Sequence, residues 1–204
     1  MPHPIECQCK TIVGEIDEAA PFNRGRCYCR SCQAFAHFLD RAPAVLDAHG
    51  GSGIVQTSPS HVHITRGMDR MACMRLTPNG LMRWYAACCN TPIGNTLANY
   101  KLSFVGLVDA CLGAQSSLDS RFGPQRMQVY TQYAIGEPKP VARGTLSSIM
   151  RLGAGIISNR LNGSYKRTPF FNENGEPIVA AKVLSSEEHA EVMNRVSGFR
   201  PRVS

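Results

Sequence analysis

At 204 residues, 43% of them hydrophobic, the chain is long enough to bury a core without the help of a metal ion or a disulfide. Its most apolar stretch, residues 102–114, includes Asp109 and falls well short of the roughly 20 residues of a membrane helix, so no membrane partner is predicted. Most of the formal net charge of +7 comes from residues 121–204, which form no basic run with interleaved aromatics, so nucleic acid is disfavoured as a partner.

The chain begins without a basic and apolar leader, so we expect a cytoplasmic protein whose thiols meet a reducing compartment. Short segments rich in β-branched and aromatic residues, which are typical of strands, follow along the first two thirds. They are residues 11–16, 62–65, 71–76, 81–85, 102–108 and 127–133. Pro78-Asn-Gly80 predicts a hairpin turn, residues 33–39 predict a helix, and Gly50-Gly-Ser-Gly53 predicts a flexible loop.

The last third has a different, helical pattern. Residues 145–161 place apolar side chains near helical spacing, and Ser185-Ser-Glu-Glu188 is a capping box that opens a helix through about residue 196. The sequence therefore predicts a mainly β domain of short antiparallel strands over residues 1–135. A helical C-terminal extension, residues 136–204, is expected to pack on this domain.

Seven of the nine cysteines are clustered in three places along the chain, at positions 7 and 9, 27, 29 and 32, and 88 and 89. Cys73 and Cys111 stand alone. Cysteines separated by so few residues rarely reach good disulfide geometry with each other, whereas tight turns bring ligands to one metal ion. The clustering therefore favours metal binding over disulfide bonds.

The segment Cys27-Tyr-Cys-Arg-Ser-Cys32 has the spacing of a zinc ligand cluster. In an extended segment Cys27 and Cys29 project to the same side, and Cys32 can complete the group from the first turn of the predicted helix. Three ligands leave a fourth position open, as in catalytic zinc sites. A closed site would take its fourth ligand from elsewhere, and the candidates are Cys73, Cys111 and His37.

A second zinc site is predicted from two distant pairs of cysteines. Cys7 and Cys9 form another pair two residues apart, and Cys88 and Cys89 are adjacent. Four thiolates are the usual ligand set of a closed structural site. Because adjacent residues seldom both bind one ion, the sequence leaves open whether Cys88, Cys89 or both are ligands.

The clustered cysteines lie in three motifs, Cys7-Gln-Cys9, Cys27-Tyr-Cys-Arg-Ser-Cys32 and Arg83-Trp-Tyr-Ala-Ala-Cys-Cys-Asn-Thr-Pro92. Together these motifs resemble the glutathione-dependent formaldehyde-activating enzyme family, which includes centromere protein V and has a β-tent zinc fold. The likeness covers about residues 6–135. Two positions depart from the family pattern: Ala86 replaces a cysteine of the third motif, and Lys10 replaces a glycine after the first.

The resemblance implies a zinc-dependent enzyme of the carbon–sulfur lyase type, which joins glutathione to formaldehyde as S-hydroxymethylglutathione. Two zinc ions are expected, and Cys27, Cys29 and Cys32 would hold the reactive one. Arg30, together with Arg24 and Arg26, flanks these cysteines and could bind the carboxylates of a small thiol such as glutathione, although each could equally be a solvated loop arginine.

Two residues near the cysteines are candidates for a general acid or base, and neither is decided by the sequence. His37 follows Cys32 along the helix and could instead serve in packing, and Tyr28 lies between two ligands. The competing functional classes are a non-catalytic zinc-binding module for a protein, thiol ligand or nucleic acid, and a two-zinc structural protein that acts through its basic C-terminal part. The oligomeric state is not predicted.

Overall fold

The computed structural model describes residues 1–17 and 23–199, so residues 200–204 of the predicted extension lie outside the described part. Within that part the regular elements, in chain order, are β1 (His3–Glu6), β2 (Val13–Ile16), β3 (Asn23–Cys27), α1 (Arg30–Phe38), α2 (Ala42–Val45), β4 (Ser52–Thr57), β5 (Val62–Arg66), β6 (Met71–Arg75), β7 (Met82–Ala86), β8 (Thr91–Thr96), β9 (Val105–Val108), α3 (Gln115–Phe122), β10 (Met127–Val129), α4 (Thr145–Leu161), β11 (Lys182–Val183) and α5 (Ser186–Gly198). Short 3-10 turns join several of them.

The strands form two sheets. The smaller sheet has the order β1-β2-β5, and the larger one has the order β10-β3-β4-β9-β8-β7-β6-β11. All neighbours pair antiparallel except at the two edges of the larger sheet, where β10 pairs with β3 and β11 with β6 in parallel. The mainly β prediction is confirmed, while the edge strands depart from the antiparallel pattern because each arrives from a distant part of the chain.

The main hydrophobic core contains residues of both sheets and of the C-terminal extension. Ile5 and Ile16 of the smaller sheet and Trp84 and Leu107 of the larger one are fully or almost fully buried in it. Phe170 is also fully buried, and its ring centroid lies 5.2 Å from that of Trp84. The extension therefore supplies part of the core that covers the larger sheet.

Both helices predicted in the extension are confirmed. Helix α4 has the predicted bounds, and α5 opens with the reciprocal hydrogen bonds of a capping box between Ser185 and Glu188. Val192 and Val196 of α5 pack with Phe35 of α1 in a second apolar cluster. The boundary at residue 135 stays a prediction. No helix in residues 1–17 and 23–199 combines the length and apolar character needed to cross a bilayer.

The flexible loop predicted at Gly50-Gly-Ser-Gly53 is wrong. Strand β4 begins at Ser52, and residues 50–53 are buried. A Cβ atom on Gly51 would collide with the ring of Tyr28, and one on Gly53 would collide with the carboxylate of Asp109. These glycines are present because neighbouring side chains occupy the space, not because the segment needs to move.

Five strands, β1, β3, β4, β8 and β11, have no counterpart in the prediction. Strand β8 contains Pro92, which usually argues against a strand, but the register of the β7–β8 ladder shifts between Trp84 and Tyr85 next to it. The strand predicted over residues 127–133 ends instead at Val129, because Tyr130 adopts a left-handed conformation with φ 60°.

Candidate metal centres and the adjoining cavity

The first cysteine cluster lies where a strand passes into a helix. Cys27 ends β3, Cys29 is the N-cap of α1, and Cys32 lies in the first turn of that helix. The three Sγ atoms lie within 4.8 Å of one another, and the backbone N–H of Cys32 donates a hydrogen bond to Sγ of Cys29 at 3.4 Å. The helix begins three residues before its predicted start because the Cys29 sulfur caps it.

The surroundings of this cluster stabilise a negative charge on sulfur. Hydrogen bonds from Cys27 and Cys32 lower the pKa of Cys29 to about 2, and the same interaction with Cys29 raises the pKa of Cys27. The N-terminus of α1 adds its positive partial charge. A cation held by these three sulfurs would replace the shared protons.

None of the three proposed fourth ligands joins this cluster. Cys73 is buried in β6, and Cys111 is buried with its sulfur 3.3 Å from the carbonyl oxygen of Ile93. His37 packs edge-on against the ring of Phe199. Within residues 1–17 and 23–199, the group contains no fourth histidine, cysteine or carboxylate, so the described residues leave one ligand position open.

A cavity of about 560 Å³ adjoins the open side of the cluster. Its wall contains all three cysteines, and the other lining residues come from α1, from several strands of the larger sheet, from the turn after β10 and from α5. The polar and titratable members are Arg30, Ser31, Gln56, Thr77, Arg83, Asn95, Tyr130, Tyr133 and His189. A volume of this size suits a small-molecule ligand.

Of the three arginines that flank the cysteines in sequence, only Arg30 lines this cavity. Side chains of a strand alternate between its two sides, so Arg24 and Arg26 of β3 lie opposite Cys27. Arg26 donates a hydrogen bond to Asp47 at 2.9 Å, and Arg24 donates one to Asp119 at 2.6 Å. Neither is available to a ligand next to the cysteines.

A second arginine of the cavity, Arg83, was not identified from the sequence. It lies on β7 with only 2% of its surface exposed, donates a hydrogen bond to the side-chain oxygen of Asn95 at 2.8 Å, and lies over the ring of Phe35. The available signal was a single charged residue within the otherwise apolar strand Met82–Ala86.

His189 of α5 also lines the cavity, but no local sequence signal connects it with the cysteines, because 157 positions in the sequence separate it from Cys32.

The two candidate acid–base residues of the sequence do not line the cavity. The buried ring of His37 packs on Phe199, which agrees with a packing role. The hydroxyl of Tyr28 donates a hydrogen bond to Asp47, and burial raises the pKa of Tyr28 to about 12.

The second cluster joins two turns that are distant in the chain. Cys7 and Cys9 lie between β1 and β2, and Cys88 and Cys89 lie in the turn between β7 and β8. All four Sγ atoms lie within 4.8 Å of one another, and the separations that involve Cys88 include 3.3 Å to Cys9, 3.9 Å to Cys7 and 3.9 Å to Cys89. The structure therefore brings both adjacent cysteines into the group.

Neighbouring hydroxyl and backbone groups support charge on this second cluster. Hydrogen bonds from the side chain and backbone of Thr11 lower the pKa of Cys9 to about 6. The backbone N–H of Ile12 donates to Sγ of Cys7 at 3.2 Å. Lys10 adopts φ 58° directly after the Cys7–Cys9 pair, which lets the chain turn tightly beneath the sulfurs.

The donor sets of both clusters fit a thiophilic metal ion. Zinc–sulfur bonds of about 2.3 Å in a tetrahedron place sulfurs about 3.8 Å apart, and the separations of 3.3 to 3.9 Å in the second cluster lie near that value. An all-sulfur set also disfavours the hard ions Mg²⁺ and Ca²⁺, which prefer oxygen ligands. Both groups could hold a metal ion, and zinc is compatible with them.

A family model with the description "Family of unknown function (DUF6151)" matches residues 2–180. The match includes all seven clustered cysteines together with Arg30 and Arg83, and it ends before α5. No curated protein and no solved structure matches the chain. Since the family model covers most of its length, the chain belongs to the DUF6151 family.

Proposed function

We propose that the protein is a zinc-dependent enzyme of the carbon–sulfur lyase type that acts on the adduct of a small thiol and an aldehyde. The observation that carries this proposal is the position of the three-cysteine cluster, which has no fourth ligand among the described residues and faces a cavity of about 560 Å³. Glutathione and formaldehyde are the substrates that the motif resemblance implies.

Cys27, Cys29 and Cys32 would hold the reactive zinc ion. When bound, zinc would keep the sulfur of an incoming thiol in its nucleophilic thiolate form at neutral pH. The residues around the cavity would place that thiol: Arg30 and Arg83 line the wall and carry charges that complement the two carboxylates of glutathione.

The reaction would form one bond between the thiol sulfur and the carbonyl carbon of formaldehyde. The carbonyl π electrons move to oxygen, and the proton given up by the thiol ends on that oxygen as the hydroxyl of the adduct. His189 is the one histidine among the described residues that line this cavity, and histidine is the most common general acid or base in enzymes, so we assign it the transfer of this proton.

The second cluster would hold a structural zinc ion. Its four sulfurs join the turn after β1, which belongs to the smaller sheet, to the turn between β7 and β8 of the larger sheet. We also propose the cytoplasm as the location, because a reducing compartment keeps cysteines available as metal ligands.

The alternative is a non-catalytic zinc-binding module that uses the same cavity for a thiol ligand. One observation favours it: the described residues that line the cavity include no carboxylate, so no carboxylate is present to act as a general base beside His189. Turnover separates the two functions, because the module would bind the thiol without accelerating adduct formation.

Metal analysis of three variants tests the two centres. We expect two zinc ions in the parent protein and one in both Cys32→Ala and Cys9→Ala, because each removes a ligand of a different cluster. Only Cys9→Ala should also lower the melting temperature strongly, since its ion joins the two sheets. Cys73→Ala is the control and should retain both ions; loss of both from Cys32→Ala would contradict two independent centres.

Activity is tested by following adduct formation from glutathione and formaldehyde by NMR. We expect a rate above the spontaneous one in the parent protein and none above it in Cys32→Ala. Arg30→Ala should raise KM for glutathione roughly ten-fold through the lost charged contact, while Arg70→Ala, an exposed arginine paired with Asp69, should leave it unchanged. Glutathione binding without any acceleration by the parent protein would favour the non-catalytic module.

A further inference from the structure

A second polar cavity, of about 360 Å³, lies at the edge of the larger sheet near β10. We call it the arginine cavity, because four arginines line it: Arg24, Arg121, Arg126 and Arg151. Its other lining residues are Asn23, Phe122, Gly123, Pro124, Ser147 and Ser148, so the described wall contains no carboxylate. None of these residues lines the cavity beside the three cysteines.

Arg24 is a buried charge with unused hydrogen-bonding capacity. Its side chain is 1% exposed, and its Nη1 atom donates to Asp119 and to the carbonyl oxygen of Gly123, which itself lines the cavity. The Nε and Nη2 atoms are buried without a hydrogen-bond partner among the described residues. Leaving charged N–H groups unpaired costs free energy, and an anion in the cavity would remove that cost.

Helix α4 directs its N-terminus at the same cavity. Ser147 and Ser148 of its first turn lie in the wall, and the N-cap is Gly144, which offers no side-chain cap. The first turn also contains no acidic residue. The first N–H groups of a helix lack intrahelical partners and carry the positive end of the helix dipole, so they too attract an anion.

Positive charge therefore faces this small volume from three separate elements. Arg24 lies on β3, Arg121 lies in the last turn of α3, and Arg151 lies on α4 one turn after the lining serines. The fork of an arginine side chain matches the oxygen atoms of a phosphate group, and helix N-termini commonly bind phosphate. A volume of about 360 Å³ suits a small molecule and excludes a nucleic acid duplex.

We propose that the arginine cavity is a binding site for a phosphate group, either free or carried by a small phosphorylated molecule. Arg24 would hold the anion from the buried end of the site, and the first turn of α4 would bind it through N–H and hydroxyl groups. Arg126 and Arg151, which are exposed, would complete the rim. This site is independent of the cysteine clusters and of the function proposed for them.

Titration with inorganic phosphate, followed by calorimetry and by melting temperature, tests the site. The ionic strength is held constant with chloride, so that general charge screening cancels. We expect saturable binding that raises the melting temperature, and a roughly ten-fold weaker affinity in both Arg126→Ala and Arg151→Ala. Both residues are exposed, so the variants should fold, and circular dichroism checks that they do.

Two control variants make the test specific. Arg160→Ala removes an exposed arginine from the same helix outside the cavity and should leave phosphate affinity within two-fold of the parent. Cys32→Ala should also leave it unchanged, because phosphate could otherwise bind to a metal ion at the cysteines. The proposal is overturned if phosphate does not bind, if Arg160→Ala weakens binding as much as Arg151→Ala does, or if Cys32→Ala abolishes it.

Discussion

His3 in β1 shows how burial sets the protonation of a single side chain in this protein. Only 7% of its surface is exposed, its ring lies edge-on to Phe122, and its Nε2 atom lies 2.8 Å from the carbonyl oxygen of Leu112. Burial lowers the pKa of His3 below its ordinary value of 6.5, the hydrogen bond to Leu112 partly opposes this, and the charge of Arg121 lowers it further. The folded protein therefore favours the neutral ring.

We predict that His3 makes the protein less stable in mild acid. Below about pH 6.5 the unfolded chain binds a proton at His3 more readily than the folded protein does. The contribution of His3 to the free energy of unfolding is therefore complete above that pH and is lost as the pH falls through the lowered pKa. Each pKa unit between the two states corresponds to about 1.4 kcal/mol.

The measurement is urea unfolding of the parent protein and of His3→Gln between pH 7.5 and about pH 5. Glutamine keeps a donor for the Leu112 carbonyl but does not titrate, so the variant should lose less free energy of unfolding on acidification. Both proteins would lose any bound metal in acid to the same extent. The effect of that loss therefore cancels when their changes in free energy of unfolding are subtracted. Parallel pH profiles would show that His3 does not contribute.

The first cysteine cluster could be predicted from the sequence because the spacing of its members is local. Cys27, Cys29 and Cys32 reach one point through a strand end and one helical turn, and no distant contact is needed to bring them together. Arg30, which the sequence places next to these cysteines, lines the same cavity as they do, and its role in ligand binding stays a prediction. The sequence alone could not distinguish Arg24 and Arg26 from Arg30. Only the structure shows that β3 directs these two side chains to the face of the strand opposite Cys27.

Strand β10 depends on a glycine in the neighbouring strand, and this pairing positions one wall of the cavity beside the three cysteines. Gly25 of β3 lies opposite Met127 of β10, and a Cβ atom at position 25 would collide with the backbone and side chain of Met127. After β10 the chain continues into Tyr130 and Tyr133, which line the cavity. The close approach of the two strands therefore fixes where these tyrosines lie.

We predict opposite effects for two glycine substitutions. Gly25→Ala should force β10 away from β3 and lower the free energy of unfolding by about 1 to 3 kcal/mol. Gly153 lies inside α4, where an added Cβ meets no atom within 4 Å. Gly153→Ala should therefore raise the free energy of unfolding by up to about 1 kcal/mol, because alanine has the higher helix propensity.

Urea denaturation compares both variants with the parent protein. Gly25→Ala should also weaken thiol binding in the cavity beside the three cysteines, whereas Gly153→Ala should not. Equal effects of the two substitutions on stability would contradict the close contact between β3 and β10.

Elements with strong local signals were predicted well, and those defined by their partners were not. The capping box of α5, the periodicity of α4 and the Pro78-Asn-Gly80 turn act within a few residues. Strand β3 has the polar sequence Asn-Arg-Gly-Arg-Cys, and it is a strand because it is held between β4 and β10. Such tertiary stabilisation overrides local propensity.

The C-terminal part of the chain completes both the core and the site. Phe170 packs on Trp84, β11 pairs with β6 and forms one edge of the larger sheet, and His189 and Met193 of α5 line the cavity beside the cysteines. The excess positive charge of residues 121–204 is also partly explained, since three of the four arginines of the arginine cavity belong to it.

We predict that Phe170→Ala destabilises the whole protein by about 3 to 5 kcal/mol, because it would leave a cavity beside Trp84. Leu161→Ala is the matched control from the same part of the chain. That side chain is 83% exposed, so its removal should change stability by no more than about 0.5 kcal/mol. Thermal unfolding measures both; similar small losses would show that residues 136–199 are dispensable for the core.

The amino-acid sequence by itself determined the mainly β class, the two C-terminal helices and the three cysteine motifs, whose spacing suits a metal site. Each of these depends on periodicity, capping or spacing over a few residues, which the chain encodes locally. The tertiary structure decided that both Cys88 and Cys89 join Cys7 and Cys9, that Arg83 and His189 share a cavity with the first cluster, and that four arginines surround a second cavity. These groupings depend on strand register and on the side of each strand that a residue occupies, and those are set only when distant segments pair and pack.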